Sequence, residues 1–134
     1  MWLFEGSEFA GDPSDYYGYV YKITNRINGR QYIGRKYFTT SKTRQVKGKK
    51  RRSRVASDWE KYWGSNEELK QDVKLHGEEN FTREILRLCK TRAECSYFET
   101  KFIFDVDALL KQQYYNSWVS CKINKNHLKH LLES

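Results

Sequence analysis

The stretch YYGYVYKITNRINGRQYIGRKYF, residues 16–38, decides the fold. Residues 16–24 and 31–38 are rich in Tyr, Ile, Val and Phe, side chains that suit a pleated surface, and Asn28-Gly29 lies between them. An Asn-Gly pair between two such runs predicts a hairpin, because a two-residue turn of type I′ needs positive φ at both positions. In that turn Tyr21 faces Lys36, and Tyr19, Tyr21 and Ile23 share one face with Tyr32, Gly34 and Lys36. Gly34 has no side chain to pack, and a bare position inside a strand often marks a close approach by a ligand or backbone. Two phenols, that gap and the cations Arg35 and Lys36 together resemble a phosphate pocket. Packing alone is the other reading, since tyrosine is a favoured strand residue.

Outward from the hairpin, the pattern predicts a small α+β layer. Ser65 with Glu68 fits a capping box opening the helix NEELKQDVKLH, and Gly77 is placed to cap its end. FTREILRLC (81–89) is a third strand, and Thr91 with Glu94 opens a second helix over about 92–111. Phe98, Phe102, Val106 and Leu109 mark that helix's buried stripe, and Glu99 sits beside it. Residues 1–15, with the only proline, Pro13, read as an irregular lead-in, and 117–134 as a tail ending in a short helix. The expected core is thus a three-stranded antiparallel sheet flanked by helices, over residues 16–116.

Charge is concentrated in one place. The chain of 134 residues carries a formal charge of +8, from 25 Lys and Arg against 17 Asp and Glu. Residues 42–54, KTRQVKGKKRRSR, hold eight cations and no acid, so this one segment accounts for the whole excess. With a glycine and few apolar residues, 39–57 reads as a mobile basic loop, an electrostatic footprint for a polyanion. Arg44, Lys47, Lys49, Lys50, Arg51, Arg52 and Arg54 are the candidate DNA contacts, with Gly34 leaving room at the site. Such contacts would position phosphates without reading bases. No apolar run is long enough to span a bilayer, and three cysteines without CxxC spacing favour reduced thiols in a cytoplasmic setting. Trp59, Tyr62 and Trp63 offer base stacking or core packing. His127 and His130 read as surface helix residues.

A carboxylate beside an apolar stripe needs a partner, because desolvating its charge is costly. For Glu99 that partner is either an ordinary salt bridge at the core boundary or a metal ion, and oxygen ligation suits Mg²⁺; Asp105 and Asp107 compete for the metal role but are less clearly placed at the core edge.

The run YVYKITN (19–25) followed by YIG (32–34) resembles the signature of the GIY-YIG nuclease family. YWGS (62–65), HGEENFTREIL (76–86), YFETKFI (97–103) and YYN (114–116) extend the resemblance to phage and mobile-element members. It implies hydrolysis of phosphodiester bonds in double-stranded DNA with one Mg²⁺ or Mn²⁺, leaving 5′-phosphate and 3′-hydroxyl ends. Tyr21 and Tyr32 match the two motif tyrosines, Glu99 the metal-binding glutamate and Asn116 the asparagine that buttresses the site. Tyr21 would serve as general base and Tyr32 would orient water or phosphate. Tyr19 replaces the first motif's glycine, and the family's first-helix arginine has no clean match. Arg35 is the first candidate for it, with Lys36 and Arg44 behind, and Tyr62 stands in for a histidine. The resemblance implies a homing-like role as monomer or homodimer. A non-catalytic nucleic-acid-binding relative and a restriction or structure-specific repair nuclease are the alternatives.

Overall fold

A computed structural model describes residues 1–133, with the side chains of Arg44 and Val46 outside that description. Among the described residues seven strands and two α-helices follow one another: β1 (Trp2–Phe4), β2 (Ser7–Glu8), β3 (Gly18–Asn25), β4 (Gln31–Tyr37), β5 (Thr39–Val46), β6 (Lys49–Ala56), α1 (Glu67–His76), β7 (Phe81–Cys89) and α2 (Arg92–Asp105). The α+β class holds, but the main sheet has five strands in the order β2-β1-β7-β3-β4, not three. The extra two come from the N-terminal residues expected to be irregular, where β1 pairs in parallel with β7 and β2 antiparallel with β1.

The β3–β4 hairpin forms, with a longer loop than the Asn-Gly pair predicts. Asn25 and Arg30 close it over residues 26–29, with Asn25 N donating to Arg30 O at 2.8 Å. Asn25 Oδ1 accepts from Ile27 N at 3.0 Å, and Gly29 N donates to Asn25 O at 2.8 Å, so the side chain of Asn25 starts the turn early. Only Gly29 has positive φ there, at 76°. Tyr21 therefore pairs with Gly34 rather than Lys36. The slip is two residues, so each side chain keeps its face.

The basic segment is a second correction. It is a β-ribbon, β5 antiparallel to β6, and not a loop. Lys47 and Gly48, at φ 50° and 76°, supply the type I′ turn that Asn28-Gly29 does not. Lys47, Lys49, Lys50, Arg51, Arg52 and Arg54 are all exposed on it, while Arg44 lies outside the described side chains.

Two cores flank the main sheet. One is aromatic: Trp2, Tyr19, Tyr21, Ile23, Phe38, Leu69, Val73, Ile85 and Tyr115 are buried together, with Trp59, Tyr62 and Trp63 packed against them. The last three are thus packing residues: Trp59 meets Phe38 edge-on at 5.0 Å and Trp63 meets Phe81 at 6.2 Å. The other core joins Val20, Ile33, Cys89, Cys95, Ile103 and Ala108 beneath α2.

Helix ends follow side-chain chemistry. Asn66, not Ser65, caps α1, its Oδ1 accepting from Leu69 N at 2.9 Å. Thr91 Oγ1 caps α2 by accepting from Glu94 N at 3.1 Å. That helix stops at Asp105, short of the expected 111, because Asp107 takes φ 54°. Phe98, Phe102 and Val106 are only half-buried, and Leu109 is 39% exposed. The tail ends in a 3₁₀ segment, Lys125–Leu131, in which His127 Nδ1 accepts from Asn124 N at 3.1 Å.

Trp2 tests whether the N-terminal strands belong to this unit. It is 3% exposed, packs edge-on to Tyr19 and Tyr21 at 5.0 and 5.2 Å, and donates Nε1–H to Trp59 O at 2.8 Å. Trp2→Ala is expected to lower stability by about 3–5 kcal/mol in urea unfolding. An unchanged midpoint would place residues 1–15 outside the cooperative fold.

Candidate active site

β4 is an edge strand of the main sheet, and its bare position Gly34 opens a gap in that edge. A methyl group at Gly34 would come within 2.6 Å of Tyr21 Cζ and 2.9 Å of Tyr32 Cε2, and closer still to the Tyr21 hydroxyl. The phenol of Tyr21 lies over the strand because no side chain blocks it. The ring itself is held from behind, 1% exposed, by Trp2, Tyr32 and Tyr62 at 5.2, 6.2 and 6.0 Å.

From that gap a pocket of about 490 Å³ opens between β4, the start of α1, α2 and the segment after Asn116. Tyr21, Tyr32, Arg35, Glu99 and Asn116 all line it, from four separate parts of the chain. Glu99 projects from α2 and accepts from Arg35 Nη1 at Oε1, 3.0 Å away. The side chains are 31% (Arg35) and 15% (Glu99) exposed. Burial pushes the Glu99 carboxyl above the ordinary glutamate range, and the Arg35 guanidinium only partly offsets this. Arg35 loses by burial and gains from Glu99, and ends with its charge more firmly held than usual.

The phenols are electrically quiet. Burial, reinforced by the neighbouring Tyr62, Tyr32 and Tyr19, drives Tyr21 well above the ordinary phenol value. Tyr32 is raised too, mainly by burial, with its contact to Ser65 opposing. Its hydroxyl lies 3.4 Å from Ser65 Oγ at the pocket rim. Asn116 clamps the strand: Oδ1 accepts from Ile33 N at 3.0 Å and Nδ2 donates to Ile33 O at 2.8 Å. Those two bonds fix the backbone immediately before Gly34.

Two expected members lie elsewhere. Lys36 is on the aromatic face, its Nζ 2.8 Å from Asp58 and 4.1 Å from the Tyr62 ring centroid. Tyr62 does not line the pocket; it supports Tyr21 from behind. Lys36 shares the face of Tyr21 and Tyr32 but stands past the gap at Gly34, where its ion pair with Asp58 holds it away from the pocket. The pocket also gains Ser65, Asn66 and Trp118, which the sequence reading did not assign to a site. Trp118 is 74% exposed, and its place two residues past Asn116 is the one signal that could have marked it.

The donor set can be tested against a divalent cation. Among the described residues no group of three or more His, Cys, Asp or Glu side chains converges. Glu99 alone offers an anionic oxygen, beside the neutral oxygens of Tyr32 and Ser65. One carboxylate with room for water and a substrate phosphate fits Mg²⁺, which keeps several waters and is held through few carboxylates.

Residues 2–119 match the family model "Putative endonuclease segE, GIY-YIG domain". A protein of Enterobacteria phage T4 with the name "Putative endonuclease segE" is 33% identical over 100 residues, covering 75% of this chain and 40% of that protein. The chain therefore spans about two fifths of that relative's length. No solved structure matches. The chain belongs to the GIY-YIG endonuclease family.

Gly34→Ala is the sharpest probe of the gap, because the atoms it strikes belong to a ring that the core holds fixed. Overpacking of this kind is expected to cost about 1–3 kcal/mol and to change the near-ultraviolet tyrosine signal. A variant with wild-type stability and an unaltered aromatic spectrum would mean that Tyr21 does not rely on the missing side chain.

Proposed function

We propose that this member of the GIY-YIG endonuclease family hydrolyses phosphodiester bonds in double-stranded DNA, with Glu99 holding one Mg²⁺ or Mn²⁺. The observation that carries the reading is the meeting of Tyr21, Tyr32, Arg35, Glu99 and Asn116 in one pocket. A merely DNA-binding surface has no use for a desolvated carboxylate at its centre, where it would repel phosphate.

Each side chain has a task set by its surroundings. Arg35 presents a planar, permanently charged fork and retains donors beyond the one given to Glu99, so it can hold a phosphate oxygen in a water-poor site. Glu99 must be ionised to hold the cation, and Arg35 favours that form. The metal, when bound, would stabilise charge developing on the phosphate and the leaving oxygen. Tyr21 is a neutral phenol in this setting, so its first role is to position the attacking water by hydrogen bonding. Proton removal by Tyr21 would require cations brought in with the substrate to lower its pKa. Tyr32 and Ser65 orient water or phosphate at the rim. Asn116 keeps the edge strand straight beside the gap. The exposed ribbon cations supply affinity for the duplex, and water attack at phosphorus would leave 5′-phosphate and 3′-hydroxyl ends. A phage role accords with the phage relative; action in the host cytoplasm, a mobile-element role and a monomeric or homodimeric state are parts of the proposal.

Supercoiled plasmid incubated with the protein and Mg²⁺ should relax or linearise, and EDTA should stop it. Glu99→Ala should lose cleavage while keeping salt-sensitive duplex binding. Substantial residual cutting by that variant would remove Glu99 from the metal role.

Acid should weaken the reaction through Glu99. Its carboxyl is raised above the ordinary 4.5, so at limiting Mg²⁺ the cleavage rate should fall, as pH is lowered, earlier than for an ordinary glutamate. In Arg35→Gln the cation that lowers this pKa is gone, and the acidic limb should move to still higher pH. An unmoved limb would show that another group controls it.

A further inference from the structure

Next to the catalytic pocket lies a second, smaller cleft of about 240 Å³, and Arg35 lines both. Its other walls are Lys36, which is paired with Asp58, and Tyr37, Thr39, Thr40, Ser57 and Arg92. No carboxylate lines it, which sets it apart from the pocket of Glu99. Arg92 stands at the first position of α2, exposed, its guanidinium 5.8 Å from the Tyr37 ring centroid. It forms no ion pair among the described residues, whereas Arg30, Arg35 and Arg87 each hold a glutamate. Thr39 Oγ1 already accepts from Arg54 Nε at 3.0 Å, so its own hydroxyl hydrogen points elsewhere. Two guanidinium groups, free hydroxyl donors and no acid define a site for a dianionic or monoanionic oxyanion such as phosphate.

The cleft also has a direction. Thr40 opens one face of the β5–β6 ribbon, and alternation with the observed register places Lys42, Ser53, Arg51 and Lys49 on that same face. Successive cations on it are spaced by two residues, about 6.7 Å along a strand. Arg54, on the opposite face, is tied down by Thr39 and Ser41. The cationic surface thus runs from Arg35, past Arg92, and out along one side of the ribbon.

We propose that Arg92, with the hydroxyl of Thr40, holds a second backbone phosphate of the strand whose scissile phosphate sits at Arg35, and passes that strand to Lys42, Arg51 and Lys49. The inference rests on the phosphodiesterase reading of the Glu99 pocket. It adds a phosphate subsite and a path for the substrate strand.

Duplex affinity measured by fluorescence anisotropy across a salt series, in EDTA so that nothing is cut, tests it. Each phosphate contact contributes about 0.9 to the slope of log K against log[salt]. Arg92→Gln should lower that slope by about 0.9, Arg92→Lys should restore most of it, and the exposed Lys74→Gln on α1 should leave it unchanged. An Arg92→Gln slope and affinity equal to wild type would overturn the subsite, as would a loss no larger than that of Lys74→Gln. Failure of the wild-type protein to bind duplex at all would overturn it too. Plasmid cleavage by the wild-type protein with Mg²⁺ reports separately on the phosphodiesterase reading, so the two can fail independently.

Discussion

The Arg35–Glu99 ion pair is the contact on which the rest of the site depends. It joins the edge strand β4 to the helix α2 at 3.0 Å, with most of both side chains out of water. A glutamate in that position without a cation would be driven to its neutral form. Burying a charge pair seldom adds net stability over apolar packing, because desolvation offsets the attraction. Apolar residues at both positions could hold α2 against the sheet equally well. That the chain has two charged groups there accords with chemistry rather than with stability. Burial raises the Glu99 carboxyl above the ordinary glutamate range, and the Arg35 guanidinium offsets that rise only in part.

Around that pair, the tyrosines of the opening stretch divide into two kinds. Tyr19 is a packing residue, fully buried between Trp2 and Phe38, its hydroxyl 3.4 Å from Trp59 O. Tyr17 and Tyr37 cover one another edge-on at 5.0 Å. Tyr21 belongs to both kinds: its ring is core, and its hydroxyl meets the pocket through the gap at Gly34. Tyr32 sits on the rim. Such a division needs an edge strand with a missing side chain, and a second strand whose residues already lie in the correct phase. Period-two alternation meets the second requirement automatically.

Much of this was legible in the residues, for reasons that also explain what was not. The face shared by Tyr21, Tyr32 and Gly34 survives a two-residue slip in register, since only an odd slip exchanges faces. The slip itself was hidden, because Asn25 competes with Asn28-Gly29 for the turn and only local hydrogen bonding decides between them. Trp2 and β1 were missed because a short strand becomes visible only through its parallel partner β7, some eighty residues away in the chain. The basic segment lacks apolar alternation, so nothing in its pattern distinguishes an exposed ribbon from a loop; Lys47-Gly48 was the quiet turn signal. Lys36 does share the face of Tyr21 and Tyr32, but its pairing with Asp58, more than twenty residues on, has no signal in the pattern. Glu99 was found by its place beside the apolar stripe, and its partner Arg35 was among the residues expected at the site.

The central claim is that water, held by neutral phenols beside Glu99 and Arg35, attacks the phosphorus directly. The most direct test is mass spectrometry of single-turnover products formed in ¹⁸O-water and quenched under denaturing conditions. The account predicts one ¹⁸O on each new 5′-phosphate, a free 3′-hydroxyl and no DNA attached to protein. A 3′-phosphate, or DNA covalently held on a tyrosine, would contradict it.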